Sequence, residues 1–228
     1  LSIIVPKIAN AFENASVDTA VFVGCKNSNN KQLNVVYVED GQYKTKHKIS
    51  LDAFKNNDGY ILDVENTEDV RCIINKVQKD SCCIETLFDI TRGINRYDAL
   101  TGQSQDIIKS RAYHSDSQKD DSFVPELKGR HVGTYYYKWD GVHWISYGKW
   151  LAAPRDTKYF EGKRIIFREI LSNRLVCTII SEPFKIDRSL YIAKPKNESD
   201  FSCELIQGLL ASKLFIFYVK HKFNEFDD

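Results

Sequence analysis

The chain has 228 residues and a mass of 26.3 kDa, with 43% hydrophobic and 28% charged residues. This composition is ordinary for a globular protein and excludes the disordered and fibrous classes. No apolar run approaches the roughly 20 residues that a membrane helix needs. No basic segment followed by an apolar run opens the sequence, so we expect a cytoplasmic protein with no membrane partner. The net charge of +1 gives no global attraction to nucleic acid.

The chain begins at Leu1 and contains no methionine. Either feature is expected of a fragment, or of a sequence from which modified methionines were dropped. The six cysteines fit no zinc-ligand spacing, and the adjacent Cys82 and Cys83 do not indicate a disulfide framework. We therefore expect reduced thiols and no metal site.

Residues 1–80 predict strands followed by a helix. The nearly continuous apolar run 19–24 predicts a strand covered on both faces, and 33–38 predicts its hairpin partner. A turn at Asp40-Gly41 leads to a third strand candidate at 43–49.

A helix is predicted after Asn66 or Thr67, either of which can cap it. Its apolar stripe recurs at helical spacing and consists of Val70, Ile73, Ile74 and Val77. The sequence after this helix changes character, and we place a domain boundary near residue 81.

Residues 81–228 predict short strands, one long loop and a closing helix. The strand candidates, separated by turn residues, are 84–94, 133–138, 143–147, 164–170, 175–180 and 189–193. The polar stretch 98–121 predicts a long surface loop. Apolar residues at roughly helical spacing over 203–220 predict a helix packed on the sheet.

Positive charge and aromatic rings coincide in residues 128–174. This segment holds ten basic and four acidic residues, a net charge of +6, and all three tryptophans of the chain. Cations bind phosphates and planar rings stack on bases, so the segment favours nucleic-acid binding. The alternative is that the rings fill a core and the cations are merely solvated.

Several catalytic motifs are absent. There is no P-loop, no Gly-x-Gly-x-x-Gly after a strand and no Gly-x-Ser-x-Gly. Asp156, Glu161 and Lys163 offer the residue types of a metal-dependent nuclease, with carboxylates to hold the ion and a lysine beside the attacking water. Only four residues separate the two carboxylates, so this nuclease is kept as an alternative.

An ordered series of short motifs runs from residue 88 to residue 168. They are FDITRGIN (88–95), YD (97–98), TGQ (101–103), VPELKGRHVG (124–133), WISYG (144–148), WLAAPR (150–155) and FEGKRIIFR (160–168), followed later by LLASKL (209–214). This series resembles the TaqI-like specificity domain of bacterial adenine-N6 DNA methyltransferases. Many members of that family are type II restriction-modification enzymes in which one polypeptide both cuts and methylates.

The segment FENASVDTAVFV (12–23) resembles the last strands of the methyltransferase catalytic domain. The resemblance therefore implies an α+β fold. A β-rich target-recognition domain, 81–228, would follow the terminal strands and connecting helix of a Rossmann-like methyltransferase domain, 1–80. We expect the recognition domain to be truncated at its C-terminus.

The resemblance also implies what this chain lacks. Relatives bind S-adenosylmethionine at a Gly-rich loop and act on a flipped adenine with an Asn-Pro-Pro-Tyr motif, which does not occur here. We therefore expect no catalytic residue and no cofactor in this chain. S-adenosylmethionine, and magnesium if the parent cuts DNA, would belong to the parent enzyme, and the chain alone should not transfer methyl groups.

The implied partners are double-stranded DNA and the missing methyltransferase domain of the same polypeptide. The phosphate-contact candidates are Lys128, Arg130, Lys149, Lys158 and Lys163. The base-edge candidates are Arg92, Asn95, Arg96, Gln103, Arg155 and Arg168. The aromatic candidates are Tyr135, Trp144 and Trp150.

Three alternatives stay open at this point. Arg155 and Arg168 could be structural arginines paired with Asp156 and Glu169. The aromatic cluster could instead be the platform of a carbohydrate- or protein-binding module. An uncovered strand edge at 19–38 could pair two copies of the truncated chain into a dimer.

Overall fold

The computed structural model describes residues 2–6, 19–27, 29–39, 41–55, 62–197 and 202–223. Residues 12–18 of the methyltransferase-like segment and Asp40 of the predicted turn lie outside the described residues. The chain divides into two units, Leu1–Asp80 and Ser81–Asp228, whose identities as domains stay predictions. The four α-helices and several sheets of the described residues confirm the α+β fold. None of the described helices has the length and apolarity to span a bilayer.

The first unit contains a four-stranded sheet in the order β2-β1-β3-β4. Its strands are β1 (Ser2–Pro6), β2 (Val21–Val23), β3 (Gln32–Glu39) and β4 (Gln42–Ser50). β1 runs antiparallel to β2 and parallel to β3, and β3 and β4 form an antiparallel hairpin. The predicted hairpin between 19–24 and 33–38 is therefore wrong, because β1 lies between these two segments.

β2 is an edge strand whose apolar side chains face solvent. Val21, Phe22 and Val23 are 51%, 59% and 51% exposed, so the prediction of a strand covered on both faces is also wrong. An exposed apolar edge can pair with another strand, and the dimer through this edge stays a prediction.

The core of the first unit comes from alternate residues of β3. Leu33, Val35 and Tyr37 are buried and pack with Ile3 and Ile49, as expected for a sheet with one covered face.

The predicted helix of this unit is confirmed as α1 (Glu68–Lys79). Thr67 caps it by accepting a hydrogen bond from the backbone N–H of Val70 at 3.5 Å. Ile74 is buried in the expected stripe, whereas Ile73 is 42% exposed.

The described part of the second unit contains ten short strands. They are β5 (Phe88–Arg92), β6 (His114–Ser115), β7 (Phe123–Leu127), β8 (Val132–Gly133), β9 (Tyr136–Tyr137), β10 (Trp144–Ser146), β11 (Arg164–Arg168), β12 (Cys177–Ile180), β13 (Lys185–Ile186) and β14 (Leu190–Pro195). One sheet has the order β12-β11-β14-β5 and another β13-β7-β10-β6, while β8 and β9 form a two-stranded ribbon. The helices are α2 (Gln105–Ser110), α3 (Cys203–Leu210) and α4 (Lys213–Phe223).

Most predicted strands are present but shorter, and three segments differ in kind. The predicted strand 133–138 is the β8–β9 ribbon, interrupted at Tyr135, whose φ is 72°. The predicted loop 98–121 contains α2 and β6, because Ser104 caps α2 within an otherwise polar stretch. The predicted helix 203–220 is two helices, α3 and α4.

Two apolar clusters hold the second unit together. One gathers side chains such as Leu127, Ile145 and Ile186 from the sheet that contains β7. The other packs Ile206 and Leu210 of α3 against the sheet that contains β12. The ends of β6, β7 and β10 are thereby fixed on a rigid base, and the polar side chains described below lie at these ends.

Ser202 caps α3, and its Oγ accepts a hydrogen bond from the backbone N–H of Leu205 at 3.1 Å. Ser202→Ala leaves that N–H without this partner and should lower the free energy of unfolding by about 1 kcal/mol. Urea unfolding followed by tryptophan fluorescence measures this, because all tryptophans lie in the same unit. Ser202→Asp keeps a capping oxygen and should stay near wild type; equal losses in both variants would contradict the capping role.

Candidate nucleic-acid interface

Three cations converge near the ends of β6 and β7. Arg111 follows α2, Lys128 follows β7, and Arg130 lies in the 3-10 helix Gly129–His131. Burial lowers the pKa of Lys128, whereas Glu126, whose Oε2 lies 3.9 Å from Nζ of Lys128, raises it. The charges of Arg96, Arg111 and Arg130 lower it further. These residues are thus close enough to act on one another electrostatically, and we call Arg111, Lys128 and Arg130 the cationic cluster.

A carboxylate and two histidines hold Arg130 in place. Its Nη2 lies 3.0 Å from Oδ2 of Asp140 and 2.7 Å from Nε2 of His143. Asp140 is also 3.0 Å from Nε2 of His131 and 2.8 Å from Nδ1 of His143. Burial opposes ionisation of Asp140, but the hydrogen bonds from both histidines hold its pKa well below the usual range.

Among the described residues, His131, Asp140 and His143 lie close enough together to hold a metal ion. The protonation of His131 disfavours this role. Its Nδ1 accepts a hydrogen bond from the backbone N–H of Lys128 at 3.1 Å, so the ring proton of the neutral form is on Nε2, which faces Asp140. A protonated nitrogen donates and does not ligate, and the three side chains are better suited to orienting Arg130.

A buried ion-pair network lies next to the cationic cluster. Arg96 is 8% exposed, and its guanidinium binds Glu126 at 2.6 Å and also Asp187. Glu126 is fully buried, and burial raises its pKa although Arg96 and Lys128 act in the opposite direction. Base contact by Arg96, as predicted from the sequence, would require these ion pairs to break.

Three of the other predicted DNA contacts have acidic partners elsewhere. Arg92 pairs with Glu169, and Lys158 pairs with Asp89 at 3.1 Å. Lys163 pairs with Glu204. The structure therefore does not bring these cations into the cationic cluster, and their contact with DNA stays a prediction.

Arg155 and Arg168 bind backbone carbonyls. Nε of Arg155 donates to the carbonyl of Gly93 at 3.3 Å, and Nη2 of Arg168 donates to that of Val132 at 2.6 Å. The structural alternative for both arginines is supported, although their partners are carbonyls and not the acidic neighbours in sequence.

Gln103 and Asn95 also take part in internal contacts. Nε2 of Gln103 donates to the carbonyls of Arg96 and Trp150 at 3.0 and 2.9 Å. Asn95 exchanges backbone hydrogen bonds with Ala153. Both residues hold in place the segment that precedes the stretch 98–121. Base contact by Asn95 and Gln103 stays a prediction.

The aromatic candidates differ in exposure. Tyr135 is 59% and Trp150 46% exposed, and the indole N–H of Trp150 donates to the carbonyl of Ser146 at 3.1 Å. Trp144 is half-buried and packs edge to face against Trp139 at 5.4 Å. Lys149, beside Trp150, is exposed.

The residues of the nuclease alternative have structural partners. Oδ1 of Asp156 caps a 3-10 helix by accepting from the N–H of Lys158, and Lys163 is paired with Glu204. The described residues provide no cluster of metal ligands at Asp156 and Glu161, so this alternative gains no support.

The sequence did not place Arg111 or His114 among the predicted DNA contacts. His114 is half-buried in β6, and burial lowers its pKa to about 3, reinforced by the charges of Arg96, Arg111 and Lys128. Both residues lie in the stretch predicted as a loop, so its capping serine, Ser104, was the available sign of local order.

Residues 124–228, just under half of the chain, match the family model of the TaqI-like C-terminal specificity domain. This part of the chain is similar to TaqI-like specificity domains. The resemblance inferred from the motif series is thereby confirmed.

The TaqI-like specificity domain supplies DNA-recognition specificity in a methyltransferase family. Lys128 and Arg130 lie within the matched residues, whereas Arg111 and His114 precede them. No curated protein matches the chain.

Proposed function

We propose that this chain selects the target sequence for an adenine-N6 DNA methyltransferase of a type II restriction-modification enzyme, and that it contacts duplex DNA through the cationic cluster. The observation that carries the proposal is the convergence of these cations beside the specificity domain's sheet. Among the described residues, the guanidinium of Arg111 has no carboxylate partner, in contrast with Arg92 and Lys163. A cation without a counter-charge is available to a phosphate.

Methyl transfer itself belongs to another part of the polypeptide. The sequence contains neither an Asn-Pro-Pro-Tyr motif nor a Gly-x-Gly-x-x-Gly loop, so its residues do not fit S-adenosylmethionine and no step of the transfer is assigned to them. The role proposed for this chain is to bind DNA while a catalytic domain flips the adenine.

The chain should bind duplex DNA with strong salt dependence. Three phosphate contacts from the cationic cluster predict a slope of log K against log salt of about −2.7, a loss of about 40-fold for a fourfold rise in salt. Fluorescence anisotropy of a short labelled duplex, titrated at several salt concentrations, measures the slope. The proposal fails if no binding occurs at low salt, or if the affinity does not change with salt.

A further inference from the structure

An internal hydrogen-bond chain fixes where the proton sits on His114. The phenol oxygen of Tyr97 accepts a hydrogen bond from the backbone N–H of Tyr113 at 2.9 Å. The same phenol lies 2.9 Å from Nδ1 of His114. Among the described residues this nitrogen is the acceptor within reach of the phenol O–H, which therefore donates to it. Nδ1 of His114 is thus unprotonated.

The other ring nitrogen of His114 must then carry the proton. In a neutral imidazole one nitrogen is an acceptor and the other a donor, so Nε2 bears the hydrogen. The pKa of about 3 means that the ring remains neutral near physiological pH. The surrounding cations Arg96, Arg111 and Lys128, together with His143, disfavour a second proton.

The guanidinium of Arg111 places a second hydrogen-bond donor beside Nε2 of His114. Its Nη2 lies 3.5 Å from Nε2 of His114. Since both atoms carry hydrogens, this contact is two donors side by side and not a hydrogen bond between them. Arg111 holds a left-handed backbone conformation, with φ of 53°, which is unfavourable for a residue with a side chain. Its carbonyl accepts a hydrogen bond from the N–H of His114, so the turn between them is closed.

Among the described residues these two donors have no acceptor, and two adjacent donors are complementary to one electronegative atom. We propose that Nε2–H of His114 and the guanidinium of Arg111 together bind a non-bridging phosphate oxygen of duplex DNA. This inference rests on the proposed function and adds a neutral and a charged donor to the cationic cluster. The nearby cations Lys128 and Arg130 favour an anionic oxygen over the neutral acceptors on base edges. Tyr97 is a positioning residue, because it acts through His114.

Loss of the two donors should have different effects on the affinity for DNA and on its salt dependence. Arg111→Ala removes a charge, so it should weaken binding about tenfold and make the salt slope shallower by about 0.9. His114→Ala removes a neutral donor, so it should weaken binding about threefold or more without changing the slope. The charge-matched control is Arg174→Ala, because Arg174 is exposed and lies between β11 and β12. This variant should change neither the affinity nor the salt slope.

The experiment uses the full chain and several labelled duplexes of unrelated sequence, with circular dichroism to check folding. His114→Gln keeps a donor near the position of Nε2 and should retain more affinity than His114→Ala. Nitrogen-15 NMR of the His114 ring, in wild type and Tyr97→Phe, reads the protonated nitrogen directly. The wild type should show the proton on Nε2, and Tyr97→Phe should weaken that preference.

Four other outcomes would contradict the donor pair, the phosphate assignment or the proposed function. If the wild type binds DNA and both alanine variants bind equally well, the donor pair is wrong and the proposed function stands. If the losses occur only on duplexes that share a sequence, the acceptor is a base and the phosphate assignment is wrong. If NMR places the proton on Nδ1, the donor pair is wrong whatever the binding result. If the wild type binds no duplex, the proposed function fails and the donor pair fails with it.

Discussion

Arg96→Ala should destabilise the Ser81–Asp228 unit by about 3–5 kcal/mol, because removing one partner of a buried ion pair leaves uncompensated charge. Here the variant leaves two carboxylates, Glu126 and Asp187, which are almost completely buried. Urea unfolding followed by tryptophan fluorescence measures the loss. Arg92→Ala is the matched control, since its ion pair with Glu169 is partly exposed and should contribute less than about 1 kcal/mol.

The same variant should respond to pH in a defined direction. Burial raises the pKa of Glu126 even with Arg96 present, and removing Arg96 raises it further. When the pKa of a carboxyl group is higher in the folded than in the unfolded state, the folded protein becomes less stable as the pH rises through the folded-state pKa. The deficit of Arg96→Ala should therefore shrink as the pH is lowered and the carboxyl group of Glu126 takes up a proton. A deficit that is independent of pH, or no larger than that of Arg92→Ala, would contradict the buried network.

Neutralising the cationic cluster should weaken DNA binding far more than an equal charge change elsewhere. The triple variant carries Arg111→Gln, Lys128→Gln and Arg130→Gln, and it should remove three phosphate contacts. Its affinity should fall about 100-fold or more, and its salt slope should become shallower by about 2.7. Anisotropy with a labelled duplex, measured across a range of salt concentrations, gives both quantities.

The matched control carries Arg92→Gln, Lys158→Gln and Lys163→Gln. It removes the same net charge from cations that pair with carboxylates, as Lys128 and Arg130 also do. Because the control cations lie outside the cationic cluster, we expect a loss below about threefold. This comparison also tests whether the three residues contact DNA, as the sequence predicted. Equal losses of affinity in the two triple variants would show that DNA binding depends on the total positive charge and not on the position of the cationic cluster.

Local patterns accounted for much of the fold. The 3.6-residue period and a capping threonine predicted α1, and the turn residues of the second unit separated most of its strands. The pairing of β2 was wrong because its neighbour is β1, a five-residue segment without a turn or period to mark it. Strand order in a sheet depends on non-local contacts, which single-sequence patterns do not contain.

The candidate site was predictable only in part, for a similar reason. Counting charges located the basic segment 128–174, but it did not show which cations are neutralised. The partners are distant in sequence from the cations: Asp89 lies on β5, Glu169 directly follows β11 and Glu204 lies on α3. Folding alone brings them to the cations. Arg111 lies outside that segment and joins the cationic cluster because β6 pairs with β10.

The stretch 98–121 contributes one donor-bearing turn to the interface but no buried hydrophobic side chain. Exchange of this stretch for a segment of different length would remove the half-buried Tyr113 from the apolar cluster that contains Leu127, and it would change the position of Arg111 relative to Lys128. The fully buried side chains of both clusters come from other parts of the chain, so such an exchange would alter the spacing of the cations more than the packing of the core.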